Sequence, residues 1–190
     1  MLSHTAQNHI PADVPPELHE AWYRHKDIVK LGHPALELMA KPVTRYNTEI
    51  HNLIRRMTAA MREANGLGLA APQLGVSTRI IVYASGEKVK VLVNPKIISQ
   101  KGEQLDPPEG CLSIPGLQGQ VLRAKEVRVK GFDERGRAVS YRLLDLEARV
   151  IQHEVDHLDG ILFFQKALPE TLEWVIGDGE DGDGNEAPHE

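Results

Sequence analysis

Apolar residues recur at Ile50, Leu53, Ile54, Met57, Met61 and Ala64, the three-and-four spacing of one helix face. Asn47 or Thr48 can cap the start of that helix, and Asn65-Gly66 can stop it. Downstream the period changes. Residues 79–83 and 89–93 are rich in β-branched side chains, and Ser85-Gly86 lies between them, which predicts two joined strands. Asn94-Pro95 interrupts the second strand before it resumes, and residues 107–110 read as loop. Residues 126–132 alternate, with Val127 and Val129 against Arg128 and Lys130. A turn at 133–136 and a return strand at 139–143 complete a hairpin. The helical period then returns. Leu146, Val150, His153 and His157 share one face, and Ile151, Val155 and Leu158 share another. A helix apolar on two faces is a buried helix. Asp145 is its expected N-cap and Gly160 its C′ residue, and residues 168–176 predict a further short helix. The predicted fold class is α+β: mostly antiparallel strands packed around a buried helix.

The two ends depart from this patterning. Residues 1–25 are polar with three prolines and read as a solvated N-terminal arm, with a short helix near residues 18–25. Residues 169–190 end in a Gly/Asp-rich stretch with no apolar period, expected to be disordered. The catalytic unit is expected over about residues 26–168. The net charge is −5, and the tail from Gly177 onward holds six of the acidic residues and no Lys or Arg. The remainder is close to neutral, so no direct nucleic-acid binding is expected. There is no bilayer-length apolar run, so no membrane partner is expected. One cysteine permits no internal disulfide, and a cytoplasmic location is expected.

The buried helix carries His153-Glu154-Val155-Asp156-His157. Histidines four apart on a helix face the same way and can hold one divalent metal, while the Glu beside the first can take a proton from a bound water. By itself the motif also suits two core histidines hydrogen-bonded to backbone. A metal reading needs a third ligand. Six residues past His157 stands Phe163, which removes one protease arrangement. Glu170 and Glu173 lie further on, without a partner to orient them. Upstream lies Cys111, after Gly110, and a thiolate with two imidazoles leaves a fourth position open.

Three segments now stand in order: Gly66-Leu67-Gly68-Leu69-Ala70-Ala71-Pro72-Gln73, Glu109-Gly110-Cys111-Leu112-Ser113, and the helix segment from Gln152 to Gly160. Together they resemble the peptide deformylase family, over about residues 26–168. The chain departs from that family's pattern at His33, where members often carry Asp before Pro, and at Gln118, where some carry Arg.

The resemblance implies a metal-dependent hydrolase that removes the formyl group from the N-terminal formyl-methionine of newly made polypeptides and releases formate. It implies Cys111, His153 and His157 as metal ligands and Glu154 as the proton carrier. It implies Gln73 and the backbone N–H of Leu112 as donors to the developing oxyanion. Fe²⁺ is the implied ion, with Zn²⁺, Ni²⁺ or Co²⁺ able to substitute. Gly66, Leu67, Gly68 and Gly110 are candidates to pair with the substrate backbone, and Leu146, Val150 and Leu67 to receive the methionine side chain. Glu109 is a candidate rim or supporting acid. Formyl-methionyl nascent peptides are the expected partners, and the ribosome surface is a candidate contact. The alternatives are an enzyme acting on a small formylated metabolite, a zinc endopeptidase, and a non-catalytic metal-stabilised protein.

Overall fold

The computed structural model describes residues 13–176. The disorder expected of the acidic tail, and the first twelve residues of the arm, lie outside the described residues. Five antiparallel strands form the main sheet in the order β1-β2-β3-β6-β7: β1 Gly68–Ala70, β2 Ile80–Ser85, β3 Lys88–Lys101, β6 Glu126–Phe132 and β7 Ala138–Leu144. A second, three-stranded sheet is ordered β4-β5-β8: β4 Glu109–Cys111, β5 Ile114–Gly119 and β8 Glu173–Trp174. The helices are α1 His19–Arg24, α2 Thr48–Glu63 and α3 Asp145–Leu158.

Strand β2 shows why the helices lie where they do. Successive side chains of a strand point to opposite faces. Ile80 and Val82 enter a core with Leu53, Ile54, Met57 and Met61 of α2. Ile81 and Tyr83 enter another with Ala148, Ile151 and Leu158 of α3. The main sheet is thus sandwiched between α2 and α3. The Asn47 side chain accepts from Ile50 N and caps α2, and Asn65 follows its end at φ 51°. Gly160, at φ 74°, ends α3 where a Cβ would strike the Glu37 carbonyl.

Four expectations need correction. Residues 168–176 do not form a helix: a single 3₁₀ turn at Pro169–Thr171 leads into β8, whose Leu117↔Trp174 pairing with β5 overrides local propensity. Glu109 and Gly110 belong to β4 and not to a loop. Asn94-Pro95 does not end its strand but shifts its register against β6. Asp145 is the first residue of α3, Leu144 is the cap residue, and no side-chain bond closes that end. The N-terminal segment does contain the short helix, but it is packed. Val14, Leu18 and Trp22 join Ile114, Leu162 and Phe163 in a third core, and Trp22 is fully buried.

Candidate functional site

Strand β1 is an edge of the main sheet and β4 an edge of the small one. Both border a groove of about 450 Å³ whose floor is α3. At its head the ligand atoms of Cys111, His153 and His157 all lie within 4.8 Å of one another. Cys111 Sγ is 3.3 Å from His157 Nε2, and the two imidazoles meet edge to face at 4.9 Å between centroids. One turn of helix sets the histidines side by side, and the β4–β5 turn brings the thiol against them.

Burial alone pushes the Cys111 thiol up, but the neighbouring His157 and His153 outweigh it and bring the thiol down to about 5. The cluster therefore offers a thiolate and two nitrogens, a donor set suited to Zn²⁺ or Fe²⁺. His157 presents Nε2 to the Cys111 sulfur, and Glu154 Oε2 beside the cluster is buried without a hydrogen-bond partner, so polar capacity at this spot is unspent. These residues fit a divalent ion.

Glu154 follows His153 and is buried. Burial pushes its carboxyl up to about 7, although His153 and His157 pull the other way. A carboxyl near neutrality can both take and return a proton at working pH. Gly68 permits this placement, because a Cβ there would collide with the Glu154 carboxylate.

Behind the histidines lies a buried ion network. Glu109 Oε2 is 2.9 Å from His153 Nδ1. Arg123 donates to both Glu109 oxygens at 2.8 Å, and Arg149 Nη1 adds a bond at 2.9 Å. Arg123 also donates to Asp156 at 2.5 Å, and Lys166 reaches Asp156 at 2.6 Å. Burial pushes Glu109 up, yet the bonds from Arg123 and His153 hold it down at about 2. An ionised Glu109 makes His153 Nδ1 the donor and frees Nε2 as the ligand nitrogen.

Gln73 is buried. Its Oε1 accepts from Ala70 N at 2.8 Å, and Nε2 is directed at Ser113 Oγ (3.4 Å) and Cys111 Sγ (3.7 Å). Gly66, Leu67, Gly68, Gly110, Leu112, Leu146 and Val150 all line the same groove. Leu67 is 50 % and Leu146 45 % exposed, an apolar rim open to solvent. Gln118 lines the groove from β5, and His33 caps the turn at Pro34–Leu36 through Nδ1. Of the residues the resemblance implies for the site, all border this groove except His157, which meets Cys111 at 3.3 Å, while His33, Glu170 and Glu173 lie outside the groove lining.

The sequence reading did not single out Arg123, Arg149 or Asp156. Arg149 had a signal: it stands four residues before His153 on the same helical face, a charge among apolar neighbours. Arg123 had none, since it lies between strands and its two carboxylate partners are remote in sequence.

The α+β fold, with a thiol, two imidazoles and an acid gathered at the head of a groove, defines a metal-dependent hydrolase class of site. A family model described as polypeptide deformylase matches residues 25–172. The chain is 49 % identical over 140 residues to the peptide deformylase of Carboxydothermus hydrogenoformans, covering 74 % of this chain and 91 % of that one. It is 48 % identical over 147 residues to that of Dictyoglomus thermophilum, covering 77 % and 95 %. Among solved structures, the peptide deformylase of Thermus thermophilus aligns with a TM-score of 0.72 at 43 % identity, over 76 % of this chain and 86 % of that one. That of Synechococcus elongatus in complex with actinonin aligns with a TM-score of 0.72 at 41 % identity, over 75 % and 78 %. The chain belongs to the polypeptide deformylase family.

Proposed function

We propose that this protein hydrolyses the formyl amide of N-terminal formyl-methionine on newly made polypeptides, releasing formate and a free amine. The observation that carries the reading is the Cys111/His153/His157 cluster beside buried Glu154, at the head of a groove flanked by two unpaired strand edges. Cys111, His153 and His157 would hold the ion, Fe²⁺ in the natural enzyme, with Zn²⁺, Ni²⁺ or Co²⁺ able to replace it. A divalent ion held there would supply Lewis acidity to the formyl carbonyl and would bring the pKa of a bound water towards ~7.

The remaining chemistry belongs to the chain. Glu154 takes the proton of the attacking water and delivers it to the departing amine. Gln73 Nε2 and the Leu112 N–H donate to the formyl oxygen as charge develops on it, and losing one such donor costs about 3 kcal/mol of barrier. Gly66, Leu67, Gly68 and Gly110 bond the substrate backbone as an added strand between β1 and β4. Leu67, Leu146 and Val150 take the methionine side chain. The catalytic unit spans about residues 26–168, with the N-terminal segment and the acidic tail as flanks. A cytoplasmic location agrees with the single cysteine. Among the described residues no helix is long and apolar enough to cross a membrane. The ribosome surface is a candidate contact for the flanks.

The test is formate release from formyl-Met-Ala-Ser by protein stripped of metal and then reloaded. Anaerobic Fe²⁺ should restore turnover that air abolishes, and Ni²⁺ or Co²⁺ should restore air-stable turnover. Full, air-stable activity with Zn²⁺ alone would overturn the ion assignment, and no formate from any loaded form would overturn the function.

A further inference from the structure

The family match begins at residue 25, yet the chain before it helps to build the groove. The 3₁₀ turn Pro16–Leu18 and helix α1 fold onto β5 of the small sheet. Leu18 and Trp22, four apart, face inward. Leu18 lies so close over Gly116 that a Cβ on that glycine would strike it, and Trp22 is buried completely. The other face of the segment carries Ala21, Arg24 and His25, and all three line the groove.

Charge in the groove is divided. At its head Glu109 and Arg149 are buried and neutralise one another. On the α1 side stands Arg24, whose side chain is 59 % exposed and whose ion-pair partner among the described residues is Glu20, 3.9 Å away and itself 89 % exposed. Such a pair holds its partners loosely and leaves most guanidinium donors open. His25 is engaged with Glu63 at 3.8 Å. With the formyl group and first side chain taken up at the head and the Leu67/Leu146/Val150 wall, as proposed above, the α1 side of the groove is the lining left for later residues of a substrate.

We propose that α1 is a specificity wall outside the family match, and that Arg24 selects formyl-methionyl peptides bearing a carboxylate side chain downstream of the first residue. The proposal rests on the deformylase reading. Arg24 acts on ground-state binding, so its effect is carried in KM.

The test uses C-terminally amidated peptides, so that a terminal carboxylate cannot stand in for the side chain. Formyl-Met-Ala-Glu-Ser-amide and formyl-Met-Glu-Ala-Ser-amide are compared with their Lys counterparts at low salt. The full-length metal-loaded enzyme should favour Glu by about two- to fivefold in kcat/KM, as expected of one exposed charge pair, and salt should shrink the ratio. Arg24→Glu should invert it through KM. Lys88→Glu, an exposed charge away from the groove, should keep the wild-type ratio. Calorimetric binding of the deformylated product peptides should follow the same order. No preference in the wild type, an unchanged ratio in Arg24→Glu, or the same inversion in Lys88→Glu would overturn the proposal. Absence of formate from every peptide would strike the deformylase reading itself, and the product-binding order would then decide the wall on its own.

Discussion

The two sides of α3 differ in how far their polar groups are satisfied. Behind the helix, Gln152 accepts from Ala124 N and donates to the Ala124 and Ala148 carbonyls. Asp156 and Arg123 are bonded to one another there, and the network runs on through Glu109 to Arg149, which borders the groove and keeps its Nε without a partner. In front, Glu154 Oε2 and His157 Nδ1 are buried without partners, and Leu67 and Leu146 stand exposed. Removing one partner of the buried network would leave a charge uncompensated, whereas the groove side holds its acid and its apolar rim free of such ties. One helix thus separates a scaffold from the surface it holds ready.

If that division is right, substitutions in front cost activity and those behind cost stability. The largest effect is expected at Glu154. Glu154→Gln keeps the shape and removes the proton carrier, so kcat should fall by about 10²–10⁴-fold, with metal content and the unfolding midpoint near wild type. Formate release and metal analysis on one sample check this. Retained turnover would remove Glu154 from the mechanism. Behind the helix, Arg123→Ala leaves Glu109 and Asp156 each short of a buried partner. The expected loss is about 3–5 kcal/mol of stability, with metal affinity weakened about 10- to 100-fold because His153 loses its support. A urea titration gives the first and a competition with a chelator the second. A lowered kcat at unchanged stability would break the comparison.

The sequence made the front more legible than the back. Cys111, His153 and Glu154 lie in short segments whose residue types announce their chemistry, Gln73 became legible only through the family resemblance, and α2, α3 and the two hairpins announce themselves by period. The ion network is assembled from Glu109 of β4, Arg123 of the chain between β5 and β6, and Arg149 and Asp156 of α3, and only Glu109 was named from the sequence, as a rim or supporting acid. Their relation is tertiary. The N-terminal segment failed as a reading for a related reason: two large apolar residues among prolines and charges make no period, although Leu18 and Trp22 suffice to dock it. The strand at Glu173–Trp174 exists because β5 offers an edge, which nothing local to residues 168–176 records.

A smaller effect is expected on the groove wall. Val150→Asp places a carboxylate in the candidate methionine pocket and should raise KM for formyl-Met peptides on the order of 10- to 100-fold, the scale of a few lost apolar contacts. The change should sit in KM with kcat moved far less, since Val150 does not touch the reacting atoms in this arrangement. Steady-state kinetics on formyl-Met-Ala-Ser reads the split. Unchanged KM would move the side-chain pocket elsewhere along the groove.

The smallest effect comes from a charge that fits neither side. Lys30 is buried and donates to the Ile28 carbonyl at 2.6 Å and the His25 carbonyl at 3.1 Å, and no carboxylate among the described residues pairs with it. Its strand of chain underlies the site: Val29 N bonds Gln73 O and Leu31 N bonds Ser113 O. Burial lowers its pKa from 10.5 to about 8, although the Cys111 thiolate opposes the shift. Below about pH 8 the folded state must carry a buried ammonium. Between about 8 and 10.5 the unfolded chain holds a proton that the folded one has released, so this group's contribution to stability rises with pH across that window. The slope is at most about 1.4 kcal/mol per pH unit, that of a single proton. It should appear as a urea midpoint that rises, from pH 7.5 to 10, relative to that of Lys30→Met, whose side chain fills similar space without titrating. A difference between the two proteins that stays flat over that range would mean that Lys30 finds in the fold an anionic partner strong enough to offset its burial.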